Sequence, residues 1–147
     1  QLENDEIESL VVLARLHDIG KITLSKEILL KTEPLDDIEW QQIKLHSEAG
    51  SRIIDNVPEA KHIKKDIMHH HERWDGTGYP HMIAEEAIPT LSRIIAIIDA
   101  FEVMTSGKAY QDAISIQEAI TELENNKGSQ FDPLLVDEFI KMIKEQN

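Results

Sequence analysis

The 147-residue chain contains no cysteine. That excludes disulfide frameworks, thiolate zinc sites and cysteine nucleophiles, and it fits a reducing, cytoplasmic compartment. Cationic residues are scarce: Lys plus Arg number 15 against 28 Asp plus Glu, a formal net charge of −13. A nucleic-acid polymer needs a basic footprint, so this balance argues against one as a partner. A small phosphorylated ligand stays open, provided something local and cationic receives it. Long apolar runs are also missing. The longest, Ile94 to Phe101, contains Asp99 and falls well short of the ~20 residues of a membrane span. The N-terminus, QLENDEIESL, is acidic and has no signal-peptide pattern. It lacks an initiator Met, so the chain is expected to be a fragment of a longer multidomain protein. What is present, 41% hydrophobic and 29% charged residues, is the balance of a soluble globular domain rather than a disordered segment. The length suits one domain with a real core.

The apolar residues recur at helical spacing. Ile7, Leu10, Val11 and Ala14 predict a helix from Glu3 to His17, with Gly20 as its stop signal. Ser25 can cap a short helix through Leu30. Ile38, Ile43, Leu45, Ala49, Ile53 and Ile54 predict one long amphipathic helix from Leu35 to about Asn56. Pro58 suits the first turn of another, carrying Ile63, Ile67 and His70. Residues 72–90 hold Asp75, Gly76, Gly78, Pro80 and Pro89 and read as a loop. Leu91 to Met104 is apolar nearly all round, the pattern of a buried helix. Ser115 with Glu118 forms a capping-box pattern, and Gly128 ends that helix. Asp132 and Pro133 read as N-cap and first residue of a last helix to about Lys144. No stretch alternates as a strand would. The expected fold is all-α, a single domain over residues 1–147.

Seven histidines stand at 17, 46, 62, 69, 70, 71 and 81. His17 and Asp18 close the first helix. Neighbours at a helix end can reach different sides of a metal cluster, and a carboxylate with two oxygens can bridge two cations; the alternative is a histidine favoured by the helix C-terminus. His46 taken alone reads as an ordinary helix residue. The run His69, His70, His71 before a glycine-rich loop reads as metal binding on composition, against a plain polar helix end. Asp99 lies in the most apolar stretch, where an unpaired carboxylate is costly. It is expected to bind a metal, or else to pair with Arg93, six residues back and on the wrong side of the helix. Histidine and aspartate without cysteine suit Fe, Mn or Zn, and not a structural zinc site. Trp40 reads as packing, and Trp74 is open between packing and ligand contact. Glu122, Glu124 and Lys127 read as a solvated face.

Taken together, LHDIGKI, then HSEAG, then HHERWDGTGYP, then SRIIAIIDAFEVMTS resemble the HD-GYP domain, a branch of the HD superfamily of metal-dependent phosphohydrolases. The resemblance runs from about Leu10 to Phe139. It implies a helical bundle around two or three divalent metals, with iron or manganese as the expected ions. It also implies hydrolysis of the bacterial second messenger cyclic di-GMP to linear pGpG or GMP. By motif position the metal ligands are His17, Asp18, His46, His70, His71 and Asp99, with Asp18 as the bridge. Lys21 matches the lysine that faces the phosphate and would stabilise developing negative charge. Gly78, Tyr79 and Pro80 match the loop lining the substrate site. Glu72 is a candidate partner for the ligand histidines, while His69, His62 and His81 match no family role. An upstream receiver or sensor domain is the expected neighbour in the parent protein.

The chain departs from the family at four places. No histidine precedes His17, so the family's earlier metal-binding helix is expected to lie upstream or to be absent. Glu102 stands where Asp is usual. Lys108, Ala109, Tyr110 and Gln111 stand where the family has Arg, Pro, Tyr and Arg or Lys; Lys108 keeps a phosphate-binding charge but loses bidentate recognition. His81, Met82, Ile83, Ala84 and Glu85 replace the usual Gly-Leu-x-Gly, so the loop is expected to differ in shape. Two further readings therefore stand beside the phosphodiesterase: a weak or inactive domain that senses a nucleotide or binds a partner, and a phosphohydrolase acting on another nucleotide.

Overall fold

The computed structural model describes residues 2–106 and 113–146. Lys108 and the three residues after it lie outside this set. The α-helices are α1 (Asn4–Leu16), α2 (Lys26–Leu29), α3 (Asp37–Lys44), α4 (His46–Ile54), α5 (Lys64–His69), α6 (Thr90–Ser106), α7 (Ile116–Asn125) and α8 (Pro133–Gln146), with 3-10 turns at Ile19–Thr23, Lys61–Ile63 and Glu85–Ala87. The only β-type pairing among the described residues is one isolated bridge, Lys127 to Phe131. The chain is all-α, as its periodicity predicts.

Caps account for several boundaries. Ser25 accepts from Ile28 N, and Ser115 and Glu118 form a capping box. Asp132 Oδ1 accepts from Leu134 N at 2.9 Å, starting α8. Its other oxygen holds Arg93 Nη1 at 2.6 Å. Arg93 therefore serves the α8 cap and not Asp99.

Two expectations are corrected. The predicted helix from Leu35 to Asn56 is two helices, broken at Leu45, where ψ opens to −12° and N–H bonds Gln42 O three residues back. The apolar spacing continues through the break, so periodicity alone cannot register it. Pro58 opens no helix; turns follow it, and regular α-structure begins at Lys64.

Helix α6 joins two apolar cores. Ile95 packs with Leu13, Ile54, Ala60, Ile63 and Ile67 from α1, α4 and the α5 region. Ile97 packs with Ile120, Leu123, Phe131, Val136 and Ile140 from α7, α8 and their connection. Only Ser92, Ile95 and Ile97 of α6 are buried. One flank of this apolar helix thus stays open, and Asp99 stands on it.

Asp66, on α5, is buried, and burial raises its pKa above the ordinary value. A carboxyl whose folded pKa lies above its unfolded one favours folding most at low pH and loses that contribution as pH rises through the folded pKa. Asp66→Asn is therefore expected to raise the melting temperature at pH 7. The gain should shrink as the pH is lowered toward 4, which thermal melts at the two pH values would show.

Within the 72–90 loop, Met82 and Glu85 have φ of 56° and 53°. This left-handed region is one that glycine enters without steric cost. The segment standing in place of Gly-Leu-x-Gly thus holds glycine-type backbone with two side chains attached. Glu85→Gly is expected to stabilise the fold by about 0.5–1 kcal/mol, the strain relieved less the added freedom of the unfolded chain. Chemical denaturation would measure it.

Candidate metal centre

Three histidines enter one site from helix ends. His17 caps α1, His46 follows the end of α3, and His70 caps α5. Each turns its ring back onto the carbonyl three residues earlier: His17 Nδ1 to Ala14 O at 3.1 Å, His46 Nδ1 to Ile43 O at 2.6 Å, His70 Nδ1 to Ile67 O at 2.6 Å. Carbonyls at helix ends lack intrahelical partners and welcome a donor. A carbonyl only accepts, so each ring carries its proton on Nδ1. In the neutral ring, Nε2 then bears a lone pair facing the opposite way.

Those lone pairs converge. His46 Nε2 lies 3.3 Å from His70 Nε2 and 3.3 Å from Asp18 Oδ1. His70 Nε2 lies 4.0 Å from the same oxygen. One donor atom from each of Asp18, His46, His70 and His71 falls within 4.8 Å of the others. Asp18 Oδ1 is buried with no hydrogen-bond partner. Oxygen and nitrogen lone pairs facing one another without a proton between them repel. The arrangement fits a cation received among them, and the all-N,O donor set suits a divalent transition metal.

The second oxygen of Asp18 faces another group. His17 Nε2 lies 3.6 Å from Asp18 Oδ2 and 3.7 Å from Asp99 Oδ1. Lys21 Nζ donates to Asp18 Oδ2 at 2.5 Å. The two oxygens of this carboxylate thus face different neighbours, Oδ1 the rings of His46 and His70, and Oδ2 the ring of His17 and the Lys21 ammonium.

The electrostatics differ between the two sides. Burial pushes His70 down to about 4 and, with the neighbouring His70 and His46, His71 down to about 2. Both rings are neutral at any physiological pH, the form in which an imidazole can ligate a metal. For His17, burial works downward, but the hydrogen bond and charge of Asp99 with the charge of Asp18 outweigh it and raise the pKa. Protons therefore compete for His17 at a pH where His70 and His71 are already free.

A cavity of about 820 Å³ opens over this centre, lined among others by Asp18, Lys21, His46, His71, Tyr79 and Asp99. A second, of about 620 Å³, lies against His71, Gly78, Tyr79, Lys44 and Arg73. Trp40, His71 and Tyr79 border both. Tyr79 stacks on His71 with ring centroids 4.9 Å apart. Burial drives its phenol pKa upward, so it stays a donor. Gly78 permits this loop to close: a Cβ there would meet Arg73 N at 2.3 Å and Glu72 Cα at 2.5 Å.

Sequence reasoning placed some residues differently. Asp99 is no sealed carboxylate; its side chain is 36% exposed, on the cavity wall. Trp40 is not core packing but a 44% exposed ring between the cavities, edge-on to Tyr79. Trp74 lies under the Arg93 guanidinium, 5.8 Å from ring centroid to Cζ. Glu72 contacts none of the ligand histidines; its Oε1 accepts from His81 N at 2.7 Å on the far side of the turn. The rings of His17, His46 and His70 are held by main-chain carbonyls instead. Lys44, whose Nζ lies 5.8 Å from the ring centroids of both Trp40 and Tyr79, was not singled out by any motif.

Comparison with known proteins agrees with this architecture. The chain is 39% identical over 134 residues to a cyclic di-GMP phosphodiesterase of Thermotoga maritima, covering 90% of this chain and 36% of that protein. It is 33% identical over 143 residues to a cyclic di-GMP phosphodiesterase response regulator of Xanthomonas campestris, covering 95% of this chain and 38% of the relative. The chain thus spans little more than a third of either relative. The crystal structure of a cyclic GMP-AMP specific phosphodiesterase of Vibrio cholerae shares the fold, with a TM-score of 0.77 at 22% identity over 98% of this chain and 40% of that one. The HD domain family profile matches residues 1–135. With the histidine–aspartate pair, the distant histidines and the GYP loop gathered at one cleft, the chain belongs to the HD domain family, in its HD-GYP branch.

Proposed function

We propose that this chain is the catalytic domain of a metal-dependent phosphodiesterase that hydrolyses cyclic di-GMP to linear pGpG or GMP. The observation that carries the proposal is the pair of facing Nε2 atoms of His46 and His70, 3.3 Å apart, beside the unpartnered Asp18 Oδ1. Asp18, His46, His70 and His71 would hold one ion, and His17, Asp18 and Asp99 the other; Fe or Mn suits these ligands. Bound there, the ions would supply phosphate charge screening, a nucleophile at neutral pH and stabilisation of the leaving oxygen.

The chain's own groups do the positioning. Lys21, tethered to Asp18 and 41% exposed, brings a cation to the phosphate side of the cleft. Tyr79 offers a phenol donor, and with Trp40 gives a base an aromatic edge. Lys44 supplies charge to the neighbouring cavity, which Arg73 also lines while paired with Asp75. This local charge answers how a chain of net charge −13 receives an anion, because distant surface charge is screened. Lys108 is proposed as a further phosphate contact. A cytoplasmic site of action, under an upstream receiver or sensor domain, completes the reading. The relative from Xanthomonas, named a response regulator, supports that neighbour.

A second reading, nucleotide binding without turnover, rests on the donor set beside His17. Among the described residues it comprises only His17, Asp18 and Asp99 on that side. Purified protein reconstituted with Mn(II) or anaerobic Fe(II) and incubated with cyclic di-GMP separates the two. The proposal expects linear product. Tight binding of intact cyclic di-GMP without product would favour the second reading.

A further inference from the structure

We propose that His69, Glu72 and His81 form a second transition-metal site, which takes one Zn²⁺ and ties the GYP loop to the end of α5. The site takes the first residue of the triple histidine and shares no residue with the Asp18 centre, and none of its residues lines either cavity.

Two buried polar atoms here have no hydrogen-bond partner. Glu72 has a fully buried side chain. Its Oε1 is taken by His81 N, but Oε2 is buried with no hydrogen-bond partner. Among the described residues no lysine or arginine forms an ion pair with it. His69 Nδ1 is likewise buried and without a partner. It stands 3.6 Å from Glu72 Oε1, too far for a hydrogen bond. A buried carboxylate oxygen and a buried imidazole nitrogen left unserved are each costly, and such orphans call for an unseen partner. His81 supplies the third donor: its ring lies 5.1 Å from that of His69, and one donor atom of each of the three residues lies within 4.8 Å of the others.

Two imidazoles and one carboxylate form a known donor set for Zn²⁺, with a coordination position left for water. The absence of sulfur and the small donor number disfavour Ca²⁺ and Cu(I). The linkage matters because the joined segments carry His70 and His71 on one side and Tyr79 on the other. An ion here would fix the loop that stacks Tyr79 on His71.

Zinc bound per chain, counted by equilibrium dialysis and elemental analysis, tests the site. His81 is exposed, so His81→Ala is expected to fold, and His69→Gln serves as a second variant. Each should bind one equivalent less than the parent, or bind it at least about tenfold more weakly. Asp18→Asn should lose zinc from the other centre and keep this equivalent, and adding His81→Ala should then remove it. Equal zinc and equal affinity in the parent and His81→Ala would overturn the proposal. Complete loss of zinc in Asp18→Asn alone would also overturn it. Neither result depends on whether the chain hydrolyses a cyclic dinucleotide.

Discussion

An Asp18→Asn protein is expected to lose at least about 1000-fold in kcat/KM toward cyclic di-GMP, equivalent to about 4 kcal/mol of barrier. Its content of Fe or Mn should fall in parallel. The reason lies in one side chain with two jobs. Asp18 Oδ1 faces His46 and His70, and Oδ2 faces His17 and Lys21. An amide keeps the shape but replaces one oxygen with an NH₂ that donates hydrogen bonds and has no lone pair for a metal. It also removes the negative charge that would hold two cations together, and Lys21 loses its anchor. Elemental analysis and turnover on the same preparation check the prediction. An Asn variant with full metal content and activity within tenfold of the parent would show that Asp18 is no bridge.

Gly20→Ala is expected to have the largest effect on stability outside the ligands themselves. A Cβ at Gly20 would stand 1.9 Å from His46 O and 2.5 Å from Gly50 N. Both neighbours are backbone, so no side chain can rotate aside; α4 itself must move. The cost should reach about 3 kcal/mol, the upper end of overpacking penalties. The displacement should also carry His46 off the centre and weaken metal binding at least tenfold. Gly128→Ala is the control. Gly128 has φ of +74° but nothing within 4 Å of the added carbon, so about 1 kcal/mol and unchanged metal affinity are expected. Denaturant midpoints with metal titrations compare the two.

Gly20 also shows where sequence reasoning reaches and where it stops. As a helix punctuator it was legible, but its φ is not left-handed and it does not end α1 by that route. It is glycine because another helix passes against it, and a single sequence carries no sign of that approach. The candidate ligands were legible because a histidine–aspartate pair, a triple histidine and an aspartate in an apolar run are hard to place otherwise. The arrival of His17, His46 and His70 from helix ends is consistent with the all-α pattern. The break at Leu45 was hidden because apolar spacing is preserved through it, while His46 itself takes Ile43 O. Asp99 looks enclosed from its neighbours in sequence, whereas one flank of α6 stays open and only Ser92, Ile95 and Ile97 of the helix are buried. Trp40 and Glu72 were misplaced for a similar reason. Composition says that a side chain is aromatic or acidic, and only packing decides which cleft or turn it faces.

A centre of two ions bridged by Asp18 is what the proposed hydrolysis requires. Diffraction from crystals of the Mn-loaded protein, measured with anomalous scattering from manganese, tests it most directly. The expected result is two peaks about 3.5–4 Å apart, one beside His46, His70 and His71 and one beside His17 and Asp99, with Asp18 between them. Manganese found only at other surfaces, with these side chains bonded to one another or to water, would contradict it.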